Sequence, residues 1–326
     1  MFEQVVQDLA FDSRGRIRFL GNWHDVPDLA MEPGTSGQLN DFAWRLVYLH
    51  HHARDHGRVQ EMLAGGTQPR PLRLIEDRQF IDQLTPVVKH LTAESGWHLS
   101  STAGKLTAHK DGLSLAVRPS DVLGSAPDPG RAVSIGFPAM QRYAAPGWVH
   151  VSGHRRPDQP KDVLRVYQPL GDPESVRPVI QFWMEALRSA CSDFHLKFAN
   201  NRRALVRADS FVAYLPVHGS GEQLIDALTH AVWENPLAGP PRLGPGFARA
   251  LGGNVFAAFE PPGRTHTISY GQYCAQAAVD LVRGQVPGSP SWSLDQPWQF
   301  TSTQRDFFAE TDRRLHASCP RVGASS

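Results

Sequence analysis

The chain has 326 residues, enough for one large domain or two smaller ones with a hydrophobic core each. Its 33 Lys and Arg residues balance 32 Asp and Glu residues, and a net charge of +1 excludes binding to nucleic acid or acidic membranes through a global basic field. No apolar run approaches the roughly 18 residues of a membrane span, and the first ten residues lack the basic start of a secretory signal. We therefore expect a cytoplasmic protein without a membrane or nucleic-acid partner.

The first third of the chain mixes helical and strand patterns. Apolar residues at helical spacing predict helices over 39–60 and 80–91. Alternating patterns predict short strands over 97–101, 105–110 and 113–117, with a hairpin turn at Asp111-Gly112. The stretch 123–130, rich in Gly, Ser and Pro, marks the main boundary.

The second half alternates strands and helices in an uneven order. The predicted strands cover 163–167, 194–198, 205–214, 255–259 and 265–270. The predicted helices cover 176–191, 222–234, 272–283 and 304–315. This order favours an α+β fold with a mixed, mostly antiparallel sheet and flanking helices. We expect an N-terminal α+β region, 1–130, packed on a core of 131–286, with a C-terminal extension of 287–326.

The three cysteines, Cys191, Cys274 and Cys319, have neither metal-binding nor redox spacing, which indicates reduced thiols. Cys191 and Cys274 fall in helical apolar patterns and are predicted to be buried structural thiols.

An acid–base pair is predicted on the strand 194–198. Successive side chains point to opposite faces of a strand, so His195 and Lys197 share one face while the apolar residues form the other. Apolar neighbours partly desolvate Lys197, which makes it a candidate general base near neutral pH. The alternative is a half-exposed strand with a solvated polar face.

Arginines on the neighbouring predicted strands suggest an anionic ligand. Arg165 and Tyr167 share a face of one strand, and Arg207 and Asp209 share a face of the strand 205–214. Two planar guanidinium groups could clamp one phosphoryl group. The alternative is that Arg207 and Asp209 form structural ion pairs.

A histidine cluster, His50, His51, His52 and His56, stands out in the first helical region. His52 and His56 would lie on one helix face, but neither the intervening Glu of a metalloprotease nor a third ligand at suitable spacing is present. We therefore expect solvent-exposed histidines and no metal. The chain also lacks a phosphate-binding lysine loop and a kinase signature, which argues against phosphoryl transfer from ATP.

Five segments between Pro146 and Gly284 carry a resemblance to a known family: PGWVHVSG, LRVYQPL, DFHLKFANNRRALVRADSFVAYLP, PPRLGPGFARAL and TISYGQYCAQAAVDLV. Together they resemble the HopA type III effector family. They also resemble the related lyase subunits that act beside a separate kinase in class V lanthipeptide and thioamitide biosynthesis. The first 130 residues carry no motif of this family.

The resemblance implies a reaction. A partner Ser/Thr kinase would phosphorylate a ribosomal precursor peptide that carries a leader, and this protein would eliminate the phosphate to leave dehydroalanine or dehydrobutyrine. No metal or organic cofactor is implied. Residues 1–130 would dock the leader or the kinase. A non-catalytic subunit that binds the peptide and organises the kinase is the alternative function.

The resemblance also implies roles for individual residues. Lys197 would remove the α-proton. His195 is preferred as the general acid because it lies beside Lys197 on the predicted face, whereas the alternatives His150 and His154 require a loop to fold back. The expected catalytic residues are Lys197, His195 and Tyr167. The expected phosphate- or substrate-binding residues are Arg165, Arg207, Asp209, Tyr214, His150, His154, Arg155 and Tyr270. One departure is that Ser269-Tyr270-Gly271 is followed by Gln272-Tyr273, where family members commonly carry His-Arg.

Overall fold

The computed structural model confirms an α+β fold with three antiparallel sheets and flanking helices. It describes residues 2–26, 36–65, 76–88, 91–123, 132–153, 163–190, 194–217, 221–234, 242–260, 269–284 and 302–317. Within these ranges, no helix combines the length and the apolar character needed to cross a membrane. Cys274 is buried, as predicted, while Cys191 and Cys319 fall outside the described residues.

The N-terminal elements form a small sheet followed by three helical segments. They are α1 (Phe2–Asp8), β1 (Leu9–Phe11), β2 (Ile17–Phe19), β3 (Asn22–His24), α2 (Ser36–Val47), a π-helix (Tyr48–His52) and α3 (His56–Leu63). The predicted single helix over 39–60 is therefore divided. Arg54 has a positive φ of 57°, and the Asp55 side chain then caps α3 by accepting a hydrogen bond from the Arg58 N–H.

A five-stranded antiparallel sheet follows α4 (Arg78–Leu84). Its strands are β4 (Leu91–Thr102), β5 (Lys105–Lys110), β6 (Leu113–Val117), β7 (Val122–Leu123) and β8 (Ala132–Pro138), in the order β6-β5-β4-β8-β7. The predicted hairpin is confirmed, and Asp111 and Gly112 both have the positive φ that a tight turn requires. The helix predicted over 80–91 ends earlier, at Leu84. Residues 124–130 of the predicted boundary lie outside the described residues, so the domain division stays a prediction.

A seven-stranded antiparallel sheet forms the centre of the molecule. Its strands are β9 (Met140–Ala145), β10 (Trp148–Ser152), β11 (Val163–Tyr167), β12 (His195–Ala199), β13 (Phe211–Pro216), β14 (Arg249–Gly252) and β15 (Val255–Phe259), in the order β14-β15-β11-β13-β12-β10-β9. The remaining helices are α5 (Pro173–Ala190), α6 (Gly221–Glu234), α7 (Tyr270–Val282) and α8 (Ser302–Ala317). The strand predicted over 265–270 is wrong at Tyr270, which begins α7; residues 265–268 are outside the described ranges.

The two faces of the central sheet are covered differently. One face, including Leu164, Leu196 and Leu215, is apolar and shares a core with α5, α6 and α8. On the other face, Tyr167 and Val212 share a second core with apolar residues of the N-terminal helices and α7. The N-terminal elements are thus packed on the central sheet, and the rest of this second face carries polar side chains, of which Ser152 and Arg165 are buried.

Candidate functional site

A row of polar side chains crosses four strands of the central sheet. In the strand register, Ser152 pairs with His195, His195 with Tyr214, and Tyr214 with Arg165. Residues directly opposite each other in an antiparallel sheet point to the same face. The sequence alternation on β11 and β12 therefore places an arginine, a tyrosine and a histidine side by side.

A second row runs beside the first. His150 on β10 pairs with Lys197 on β12, which pairs with Val212 on β13, and Val212 pairs with Tyr167 on β11. The predicted neighbours His195 and Lys197 therefore lie on the same face, as expected. The two rows define the polar face, a term used below for Ser152, His150, His195, Lys197, Tyr214 and Arg165.

Lys197 lies near the centre of the polar face and is partly exposed. Its Nζ is 4.5 Å from the ring centroid of Trp148 and 5.6 Å from that of Tyr214. Its positive charge lowers the pKa of Tyr214. Two aromatic rings thus replace part of the water around this ammonium group.

His150 and His195 form a hydrogen-bonded pair. Nδ1 of His150 is 2.9 Å from Nε2 of His195, and Nδ1 of His195 is 3.0 Å from Oγ of Ser152. Burial, followed by the charge of Lys197, lowers the pKa of His150 to about 4. Burial and then His150, Lys197 and Arg165 lower the pKa of His195 to about 3. Both rings are therefore neutral at neutral pH.

Both ring nitrogens of His195 have hydrogen-bond partners, whereas only one ring nitrogen of His150 has a partner. Nε2 of His150 is buried and has no hydrogen-bond partner among the described residues. Among these three side chains, His150 is thus the member with an unpaired ring nitrogen, and a ligand could contact that nitrogen only after nearby side chains move.

Arg165 is buried and paired with a carboxylate. Its Nε donates to Oε1 of Glu260 at 2.5 Å, and its Nη2 also contacts that oxygen. The guanidinium carbon lies 4.6 Å from the Tyr214 ring centroid, and Nη1 is 3.4 Å from the Tyr214 hydroxyl. Burial opposes the charge of Arg165, but Tyr214, Tyr167 and Glu260 raise its pKa overall, so it stays cationic.

Arg207 and Asp209 do not lie on a strand, contrary to the prediction for 205–214. They occupy the turns before β13, which begins at Phe211. Arg207 donates to both oxygens of Asp209 at 2.8 Å. The Tyr48 hydroxyl accepts from Nη2 of Arg207 and donates to Oδ2 of Asp209, each at 2.7 Å. The predicted alternative, an ion pair between Arg207 and Asp209, is present.

The Asp209 carboxylate carries a full negative charge in this arrangement. Burial alone would raise the pKa of Asp209, but Arg207 lowers it far below its usual range. Burial raises the pKa of Tyr48, which keeps its hydroxyl protonated. The three groups are therefore a closed, charge-balanced network that the N-terminal π-helix completes.

The prediction of solvent-exposed histidines is wrong for His51 and His52, each of which is 2 % exposed. The His52 ring stacks on Phe247 at a centroid distance of 5.6 Å and meets the edge of Tyr167 at 5.5 Å. Phe247 lies 195 residues further along the chain, so no local pattern could show this burial. His52 and His56, expected to share one helix face, are separated by the end of the π-helix.

Tyr167 and Tyr270 are both buried, Tyr167 at the end of the second row and Tyr270 at the start of α7. The Tyr167 hydroxyl has no hydrogen-bond partner among the described residues. The Tyr270 hydroxyl donates to the Phe247 carbonyl at 3.0 Å. Substrate therefore cannot reach either ring without movement of the residues around it.

The structure brings together most residues that the sequence singled out. His154 and Arg155 lie outside the described residues. Three contributors were missed: Trp148, Glu260 and Tyr48. Trp148 is two residues from His150 on the same strand face, a signal that period-two alternation contains. Glu260 and Tyr48 reach the site from distant segments and leave no local signal.

The polar face favours negative charge. Burial alone would raise the pKa of Tyr214, yet Lys197 and Arg165 lower it below its ordinary value. The same cations help to keep His195 neutral. An anionic group placed above Tyr214 would meet the same positive potential.

Comparisons with known proteins give little further information. No protein-family model matches the chain, and no curated protein matches it significantly. Among solved structures, the chain is similar to an effector protein from Pseudomonas syringae pv. tomato strain DC3000. The two share 13% sequence identity with a TM-score of 0.33, and the match covers 97% of this chain and 84% of that chain.

Proposed function

We propose that the protein is a phosphoserine/phosphothreonine lyase that matures a ribosomal precursor peptide. The position of Lys197 carries this proposal. This lysine lies between the Trp148 and Tyr214 rings, directly opposite His150 and on the face that Arg165 makes positive. The resemblance of segments between 146 and 284 supports the substrate class, a peptide phosphorylated by a separate kinase.

The reaction is a β-elimination. Once its ammonium group has released a proton, Lys197 removes the α-proton of the phosphorylated residue, and the electrons of that C–H bond form the Cα–Cβ double bond. The Cβ–O bond breaks, and its electron pair leaves with the phosphate, which takes up one proton from a general acid. The products are dehydroalanine or dehydrobutyrine, inorganic phosphate and a protonated lysine.

His150 is our choice for the general acid, in place of the His195 favoured by sequence. Its Nε2 is free, whereas His195 contacts His150 and Ser152. Both rings are neutral before substrate binds. A phosphate dianion nearby raises the pKa of His150 and stabilises the imidazolium that donates the proton. His195 then acts as a positioning residue that accepts the Nδ1 proton of His150.

In this proposal the arginines bind the phosphate while Arg165 stays paired with Glu260 and Arg207 stays paired with Asp209. Arg207 uses Nε and Nη2 for Asp209 and Tyr48, and its Nη1 donates to no described residue. Its guanidinium carbon lies 5.6 Å from the Trp148 ring centroid, the ring that Lys197 also contacts. A phosphate beside Trp148 would thus lie between the base and a spare guanidinium donor.

One observation favours the alternative function, a non-catalytic peptide-binding subunit. Arg165 and Arg207 already have carboxylate partners, and both histidines are neutral, so neither arginine needs a ligand to balance its charge. Such a face could bind a peptide without acting on it.

A mass-spectrometric assay separates the two functions. A synthetic phosphothreonine precursor peptide is incubated with the full-length protein, with and without the neighbouring kinase. We expect the wild type to remove phosphoric acid, and Lys197→Met to slow this by about 10²–10⁴-fold. The control is Lys105→Met, at an exposed lysine of β5. Phosphopeptide binding without elimination by the wild type, or full activity of Lys197→Met, would refute the lyase.

A further inference from the structure

A second polar cluster lies on the N-terminal elements, apart from the polar face. Asp8 at the end of α1 and His50 and His51 on the π-helix each place one possible ligand atom within 4.8 Å of the other two. Nε2 of His51 is 3.5 Å from Oδ2 of Asp8. His56 supports the cluster, because its Nδ1 lies 3.2 Å from Nδ1 of His50.

His51 gives an independent indication of a ligand. It is 2 % exposed, and its Nε2 is buried without a hydrogen-bond partner among the described residues. A buried polar nitrogen left without a hydrogen-bond partner is destabilising, so native structures rarely retain one without a reason.

We propose that Asp8, His50 and His51 bind a zinc ion. Two imidazole nitrogens and one carboxylate oxygen are donors that Zn²⁺ accepts, with a fourth position left for water. Hard cations such as Ca²⁺ and Mg²⁺ prefer more oxygen donors than this cluster offers. His56 is suited to hold the His50 ring in position, as outer contacts of metal ligands do.

The proposed site connects to the Arg207–Asp209 ion pair through one helical turn. The π-helix that carries His50 and His51 begins at Tyr48, whose hydroxyl bridges Arg207 and Asp209. A zinc ion would fix this turn to α1 and thereby hold Tyr48 in place. Single π-turns of this kind occur frequently at functional sites.

The test is zinc binding by the full-length protein, which does not depend on lyase activity. Chelator-treated protein is titrated with ZnCl₂ by calorimetry, and Co²⁺ absorption spectra report the donor geometry. We expect one equivalent of zinc and a higher melting temperature when zinc is added. Asp8→Asn and His50→Gln should each weaken binding at least about tenfold, since even changes around metal ligands cost 10–100-fold.

The control variant is His316→Gln, at an exposed histidine of α8, which should bind zinc as the wild type does. Circular dichroism and melting curves without metal show whether each variant is folded. If a variant does not fold, the proposal is judged from the wild type alone, by its zinc-dependent rise in melting temperature and its Co²⁺ spectrum. Absence of stoichiometric zinc binding by the wild type, or binding that survives both substitutions, would overturn the proposal.

Discussion

The Tyr48 hydroxyl donates a 2.7 Å hydrogen bond to Asp209, a residue 161 positions later in the chain. The same hydroxyl accepts from Arg207 at 2.7 Å. An N-terminal helical turn thereby completes a network at the edge of the central sheet. We expect Tyr48→Phe to lower the free energy of unfolding by about 1.5–3 kcal/mol, because hydrogen bonds to charged groups contribute that much.

Urea denaturation measures this change. The control is Tyr167→Phe, which removes a buried hydroxyl without a partner among the described residues. That substitution should leave the stability unchanged or raise it, because no hydrogen bond is lost. Equal effects of the two substitutions would contradict the role given to Tyr48.

The histidine pair should make stability depend on pH. The folded pKa values of His150 and His195 are about 4 and about 3, below the ordinary value of 6.5. At pH values between the folded pKa values and 6.5, these histidines bind protons in the unfolded chain but not in the folded protein. The free energy of unfolding therefore decreases as the pH falls below 6.5. The groups that face the pair are Ser152, Lys197, Tyr214 and Arg165.

Denaturation curves between pH 7.5 and pH 5 test this expectation. Each histidine contributes at most about 1.4 kcal/mol per pH unit. His195→Gln should give a shallower pH dependence than the wild type, and the difference isolates this pair from other buried histidines. His316→Gln is the control and should keep the wild-type slope. Parallel curves for all three proteins would rule out the neutral pair.

The buried pair of Arg165 and Glu260 should be sensitive to loss of one partner. Both side chains are less than a tenth exposed. Glu260→Ala leaves the Arg165 charge buried without its carboxylate, and we expect a loss of about 3–5 kcal/mol. Thermal unfolding measures it. Replacing both residues by apolar ones should recover much of the loss. Glu310→Ala breaks exposed ion pairs and should not shift the midpoint.

Gly271 should not tolerate a side chain. A Cβ at this position would lie 2.5 Å from Nε2 of His52, which itself packs against Phe247 and Tyr167. We expect Gly271→Ala to cost about 1–3 kcal/mol through overpacking. Gly57→Ala in α3 meets nothing within 4 Å and should be neutral or stabilising. Melting temperatures of the two variants would distinguish these outcomes.

The alternation of polar and apolar residues was sufficient to predict which side chains share a face where a strand is regular. The alternation over 163–167 and 194–198 correctly placed Arg165 with Tyr167 and His195 with Lys197. It failed over 205–210, where the chain forms turns before β13. There the Ser210 side chain accepts a hydrogen bond from the Leu170 N–H. Such bonds compete with strand pairing but have no periodic signal.

Contacts between residues far apart in the chain explain the other differences between the predicted site and the observed one. Glu260, which binds Arg165, lies 95 residues later in the chain. Tyr48, which binds Asp209, lies 161 residues earlier. Nothing near Arg165 or Asp209 in the sequence indicates which carboxylate or hydroxyl will meet them. The choice between His150 and His195 likewise depends on a hydrogen bond between strands that are not adjacent in the chain.

The order of strands in the central sheet bears on how the protein is made. β10 and β12 can pair once residue 199 has left the ribosome, and β13 can then join β12 and β11. Glu260 follows β15 and is synthesised later, so Arg165 initially has no buried counter-charge. Contacts between residues far apart in sequence form slowly. The buried pair of Arg165 and Glu260 therefore cannot form until the chain has been synthesised beyond residue 260.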